Sequence, residues 1–432
     1  MTRASPRPTR KLGILAPAVS AARVLTTLRR AEYAELIALF LLQGAALGMW
    51  SVPLSSVLEA HGLAQIRPWA YASSGVAAFV SPLLFGAMAD RHASPVKVMR
   101  WLALASAVAM ALVATAIGAG IKPGLVLALI QVHSLCSAPA WSIGSTIVLG
   151  RLADAKKEFG PIRAMATLGW MAGCLLVSAA GADGSTLALY GGAMMWLLVC
   201  VMTFWLPTLE TPRSAAGLTW TQRLGLDALT LLRHRDHRII FLVTALFTIP
   251  LAGFYPYTPP HLRELGLIHT SAWMSLGQVT EVVAMLALGT LMLHWRLKWI
   301  VALGLAIGVL RFALCAIGTP WSVLAGVIGH GASYTLVFIT AQIYLDQRVD
   351  PAWRARGQAL MSLMNGGVGN LIGYLGTGAW FASCTLRGAT RWPVFWSGLS
   401  LAVAAVLVLF LATYRGRGAG SPHHDGAAVG NG

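Results

Sequence analysis

Long apolar runs alternate with short polar connections along almost the whole chain. A helical bilayer crossing takes about 20 residues, and the runs reach that length without the two-residue alternation of a barrel strand. They therefore predict helices, the form in which a spanning segment satisfies its own backbone groups. Six spans are predicted in the first half: Tyr33–Leu58, Pro68–Ala89, Val98–Gly120, Pro123–Leu149, Pro161–Ala180 and Thr186–Pro207. The longest polar stretch between spans then runs from Thr208 to Arg238, with Pro212, five arginines and an amphipathic segment around Trp220–Leu232. Six further spans follow at Ile239–Pro260, Ser271–Leu293, Ile300–Gly318, Trp321–Tyr344, Gly357–Ser383 and Pro393–Tyr414. The pattern predicts an all-α polytopic membrane protein of twelve helices. Its parts are a basic tail (1–30), a six-helix bundle (31–207), a linker (208–238), a second six-helix bundle (239–414) and a Gly-rich disordered tail (415–432).

Composition agrees with that pattern. Of 432 residues, 57% are hydrophobic and only 11% charged, against roughly 25% charged in soluble domains. A net charge of +17 could point to nucleic acid, but the placement of the charges excludes it. Of the 32 Lys and Arg, five (Arg67, Lys122, Arg263, Arg387, Arg391) fall in loops on one side and two (Arg163, Arg311) fall within spans. The rest lie in the tails and in loops on the other side. By the positive-inside rule both termini and the linker are cytoplasmic, in a bacterial-type inner membrane. The apolar patch at Leu12–Ala22 is short and contains Pro17, so a cytoplasmic tail is favoured there over a cleaved leader. Cys136, Cys174, Cys200 and Cys315 lie in spans and Cys384 near a loop, which gives no disulfide framework and no metal spacing. Nothing in the pattern calls for a cofactor. The partners expected are a small solute, protons and the lipid bilayer, for a chain acting as a monomer.

A few polar groups interrupt the spans. Glu281 sits in Met274–Leu288 with apolar residues for two turns beyond it and no Lys or Arg between Arg263 and Arg296. A carboxylate at that depth normally faces a water-filled cavity or a partner. Gln278, three residues earlier, shares its face. Two readings are open, a functional proton site and a structural hydrogen bonder. Arg163, Thr167 and Trp170 fall on one face of the fifth span, and a guanidinium, a hydroxyl and an aromatic ring suit a neutral, ring-containing, hydrogen-bonding ligand. Arg163 could instead snorkel to lipid phosphates near the helix end. His330 and Tyr334 are spaced i, i+4 on the tenth span with Phe338 a turn further, whereas His133 is alone on the fourth and reads as an interhelical hydrogen bonder. Arg311 is expected to be structural, by snorkelling or by pairing with a carboxylate. Many of the 16 tryptophans sit at span ends as interfacial belts, but Trp50 and Trp170 lie deeper.

Two six-helix halves around a central inner loop is the layout of major facilitator transporters, whose site lies near the midplane. The loop Gly86-x-x-x-Asp90-Arg91 resembles that superfamily's signature gating loop, with Ala93 and Ser94-Pro95 where a second glycine and a basic pair are usual. More specifically, an ordered set of motifs resembles the nucleoside:proton symporter family from the first span to the last. In the first half it comprises Gln43-x4-Gly48-x-Trp50, Pro161-Ile-Arg163-x3-Thr167-x-Gly169 and Leu206-Pro207. It continues with Trp220-x3-Leu224-Gly-Leu-Asp227-Ala, Gln278-x2-Glu281, Leu310-Arg-Phe-Ala-Leu314 and Asn365-Gly. A neighbouring group of aromatic-acid permeases shares several of these motifs.

The resemblance implies a secondary active transporter, not an enzyme, which imports a nucleoside-like solute by proton symport through alternating access. It implies that Arg163, Thr167, Gln278 and Glu281 line the central cavity and contact the solute or the proton. Trp170, His330, Tyr334, Gln43 and Trp50 complete the expected binding set, with Glu281 as the proton site. The chain departs from the family at Tyr334-Thr335, where relatives carry an acid after the aromatic. It departs again in Thr248–Pro260, which lacks the usual Gln and Asn of the seventh helix. The competing solute is an aromatic acid, with Arg163 as its counter-charge.

Overall fold

The computed structural model describes residues 26–89, 94–207 and 219–416. Nine helices among them are long and apolar enough to cross a membrane. In chain order the helical segments are α1 (Ala31–Ala60), α2 (Arg67–Ala89), α3 (Pro95–Gly118), α4 (Pro123–Leu149), α5 (Ala155–Ala179) and α6 (Thr186–Met202). They continue as α7 (Arg235–Glu264), α8 (Thr270–His294), α9 (Leu297–Ile317), α10 (Pro320–Arg348), α11 (351–384) and α12 (Trp392–Thr413). Asp90 and Arg91 of the expected gating loop lie outside the described residues; Gly86 falls in the last turns of α2.

The helices begin and end where local chemistry dictates. Pro95, Pro123 and Pro320 occupy first-turn positions, where the missing N–H costs nothing. Gly318 takes a left-handed conformation (φ 76°) to close α9. The fifth span departs from expectation. Pro161 is an interior residue of α5, which starts at Ala155, because the Glu158 side chain accepts from the Asp154 N–H (2.9 Å) and satisfies one of the unbonded donors of the first turn. The amphipathic linker segment is a short helix, Trp220–Arg223, with a capping box at Thr219, followed by a 3-10 run over Leu226–Arg233.

Irregularity is concentrated in four helices. α1 is interrupted near Val52–Pro53 and α7 near Ala252–Gly253, the corresponding places in the two halves. α10 contains a π segment at Thr335–Ile339 and α11 one at Leu363–Gly369. Such π segments recur at functional sites because they rotate the helical register locally. Broken helices at matched positions are a known pointer to a transporter's binding site.

Apolar packing follows the two halves of the chain. Three buried clusters lie within the first half and a small one within the second, while the largest is built mainly from the second half and takes in Val52, Trp170 and Cys174 from α1 and α5. Small residues let neighbouring backbones touch, as is usual where helices pack without a hydrophobic driving force. A Cβ at Gly331 on α10 would collide with the Gly277 carbonyl and the Glu281 N–H of α8, so glycine there fixes how α8 presents Glu281.

Candidate functional site

A cavity of about 530 Å³ lies between the halves, lined by residues of α1, α4, α5, α7, α8, α10 and α11. It falls within the range of small-molecule sites, roughly 300–1,000 Å³. From α5 it takes Arg163, Thr167 and Trp170, and from α8 it takes Gln278 and Glu281. The helical spacing of each stripe thus puts both on the same cavity from opposite halves. α10 adds His330 and Tyr334.

Arg163 is exposed to the cavity, and its guanidinium lies over the Trp141 ring at 4.8 Å and the Phe40 ring at 5.5 Å. Among the described residues its contacts are aromatic faces rather than a carboxylate, which leaves its planar N–H groups to bond a solute. Glu281 is half-buried, and its backbone carbonyl accepts from the Thr335 hydroxyl at 3.5 Å, at the first residue of the α10 π segment. Gln278 is buried to 8% exposure with its side chain on the lining.

An aromatic wall closes one side. Trp170 meets Tyr255 edge-on with centroids 6.3 Å apart, and the Tyr255 hydroxyl pairs with His330 Nε2 at 3.4 Å. His330 is stacked on Phe254 (4.3 Å, 16° between planes), and Arg311 lies over the same Phe254 ring at 4.1 Å. This corrects the expectation for Arg311. It is buried to 1%, it donates Nε–H to the Gly326 carbonyl at 3.2 Å, and it sits over Phe254 and Phe312. Among the described residues it pairs with no carboxylate; two ring faces cover its guanidinium instead, and at 1% exposure it does not snorkel.

Two expected residues are not part of this lining. Gln43 is fully buried within the first half, donating to the Ala140 carbonyl (3.0 Å) and lying against Gly144. Trp50 packs edge-on against His133 at 4.9 Å, and His133 pairs with the Ser106 carbonyl at 3.0 Å as an interhelical hydrogen bonder. Both project from α1 toward their own half rather than toward the cavity. Conversely, Leu47, Trp141, Tyr255, Asn370 and Tyr374 line the cavity without having been singled out from sequence. Asn370 directly follows the α11 π segment.

A polar cavity lined from both halves of a helical membrane bundle defines a secondary transporter of the major facilitator fold. Within that class, the chain belongs to the Nucleoside H+ symporter family, whose model matches residues 32–418. It is 31% identical over 389 residues to the putative nucleoside transporter YegT of Escherichia coli, covering 85% of this chain and 90% of that one. It is 26% identical over 363 residues to the Escherichia coli nucleoside permease NupG, covering 79% and 86%. The crystal structure of nucleoside transporter NupG superimposes with a TM-score of 0.80 at 25% identity, over 89% of this chain and all of that one.

Proposed function

We propose that the chain imports nucleosides across the cytoplasmic membrane by proton symport, as a monomer with both termini and the linker inside. The bundles 31–207 and 239–414 are taken as the two bodies that rock around the cavity. The observation that carries this reading is the convergence of Arg163, Thr167 and Trp170 with Gln278, Asn370 and Glu281 on one cavity. Trp170 and Tyr255 offer ring faces to a base, while the amides and the hydroxyl offer donors and acceptors to base edges and ribose. Asn370 supplies an amide to a cavity that receives only Leu251, Ala252 and Tyr255 from α7.

Glu281 is the one carboxylate among the lining residues, so proton binding there changes the cavity's charge by one unit. Protonated, it cancels no part of Arg163's charge and donates a hydrogen bond to the solute. Deprotonated, it attracts the Arg163 guanidinium and competes with the solute for it. Proton and nucleoside therefore favour the same state of the site, the requirement for symport. Competition of labelled uridine binding by adenosine and by phenylpropionate tests the solute class. Displacement by adenosine and not by the acid is expected; displacement by the acid alone replaces nucleoside with aromatic acid. Arg163→Ala should weaken uridine by about 1.5–3 kcal/mol, the scale of a hydrogen bond to a charged group. An aromatic acid would lose its only counter-charge and bind far more weakly than that.

A further inference from the structure

A second cavity, about 670 Å³, opens on the outside of the bundle where the end of α8, the start of α9 and the end of α12 meet. Its floor is apolar and shallow-sided, with Ala302, Leu303 and Ala306 of α9 facing Leu407 and Leu411 of α12. Its mouth carries His294, Trp295, Arg296 and Trp299. Trp295 and Trp299 are about half exposed, at 47% and 55%. Tryptophans so placed mark the level of lipid headgroups.

The charge at the mouth is of one sign. The Arg296 guanidinium has no hydrogen bond, ion pair or ring contact among the described residues. Lys298 uses one N–H on the Leu411 carbonyl at 2.9 Å, which holds it at the same corner with two donors left over. The sequence has no Asp or Glu between Glu281 and Asp346, so α9 and the end of α8 bring no acid to neutralise these cations. The mouth also lies at the end of the bundle where α7 begins and α12 ends.

We propose that this groove is a binding site for one anionic glycerophospholipid. Its phosphate sits between Arg296 and Lys298, its glycerol region lies at the level of Trp295 and Trp299, and an acyl chain runs down the alanine floor. A guanidinium presents paired N–H donors to phosphate oxygens, and basic pockets between membrane helices bind anionic headgroups on the cytoplasmic side. A zwitterionic lipid fills the floor equally well but brings its own cation to a mouth already positive. The charge therefore selects the headgroup, and the floor selects a lipid over a free phosphate.

The test is native mass spectrometry of the purified full-length chain, titrated with phosphatidylglycerol, phosphatidylcholine and inorganic phosphate. Phosphatidylglycerol should be retained at roughly tenfold lower concentration than phosphatidylcholine, with no retention of phosphate alone. In Arg296→Gln/Lys298→Gln that preference should vanish. Ala306→Trp, at an exposed position on the floor, keeps every charge and should also reduce phosphatidylglycerol retention. Equal retention of both lipids, or a preference that survives both variants, overturns the proposal, as does a stable dimer that Ala306→Trp dissociates. If the double variant fails to fold, quenching in the unaltered chain decides. Brominated phosphatidylglycerol must quench more tryptophan fluorescence than brominated phosphatidylcholine, and the excess must disappear in Trp295→Phe/Trp299→Phe.

Discussion

The two ends of the central cavity are built on opposite plans. At the short-loop end, polar side chains bond across the halves. Asp183, buried after α5, accepts from the Ser271 N–H (2.6 Å) and the Thr270 hydroxyl (3.1 Å) at the start of α8. The Ser178 hydroxyl accepts from the Ala272 N–H at 2.9 Å, and the Ser178 carbonyl pairs with His269 at 3.1 Å. The Ser55 hydroxyl of α1 donates to the Pro256 carbonyl of α7, and Arg67 of α2 lies over Tyr257 and Phe381. At the end carrying the linker, several polar pairs stay inside one half, and Arg356 of α11 pairs with Asp227 of the linker at 2.9 Å. Arg30 and Tyr33 bond Glu158, Arg151 bonds Glu35, and Arg100 bonds Thr203. In the second half His237 bonds Tyr344, and Gln358 bonds the Gln342 carbonyl.

The short-loop end is latched by bonds that must be unmade before the halves part there, whereas separation at the linker end breaks none of the pairs named above. In this structure the two halves are joined at the short loops. Asp183 is the centre of the latch because one carboxylate joins the last turn of α5 to the unbonded donors that open α8.

The largest effect is expected where the comparison's premise, two rigid halves, is attacked directly. Gly331→Leu has no room against the Gly277 carbonyl and the Glu281 N–H, so α8 and α10 cannot pack. Loss of monodisperse protein on size exclusion is expected, and normal yield with normal uridine binding would contradict the packing account. Asp183→Ala comes next. It removes the acceptor of buried donors and should cost the latched state about 2–3 kcal/mol, since bonds to charged groups contribute about 1.5–3 kcal/mol and do not simply add. The readout is maleimide labelling from the short-loop side of a cysteine placed at Thr258, which is fully buried in the latched state. A rise of roughly thirtyfold to a hundred-and-sixtyfold is expected, a smaller rise for Asp183→Asn, and no rise would break the comparison. Arg151→Gln should do least. Its pair with Glu35 is partly exposed (23% and 42%) and lies within one half, so less than about 1 kcal/mol of stability and no change in labelling follow.

How legible the site is depends on periodicity. Gln278 with Glu281, and Arg163 with Thr167 and Trp170, stand out because polar residues repeat at helical spacing in otherwise apolar runs, and the structure puts both stripes on the cavity. Trp141, Tyr255 and Tyr374 carry no such signal, since a single aromatic in an apolar span can face any neighbour. Asn370 follows a π segment, where one extra residue per turn rotates the helix out of the 3.6-residue register used to read faces. Gln43 and Trp50 show the converse limit. An isolated polar or aromatic residue marks a helix that packs closely, but its direction depends on which partner reaches it first, and here that partner is α4. The fold was easier to read because span length and charge asymmetry are set by the bilayer rather than by packing.

The most direct test concerns Glu281, on which proton and solute are proposed to meet. Glu281→Gln keeps the shape and hydrogen bonding of the side chain but cannot titrate. In proteoliposomes carrying a pH gradient, this variant should fail to concentrate labelled uridine while still exchanging it with uridine on the other side. Uphill accumulation at the unaltered rate would contradict the account and leave Glu281 a structural residue of α8.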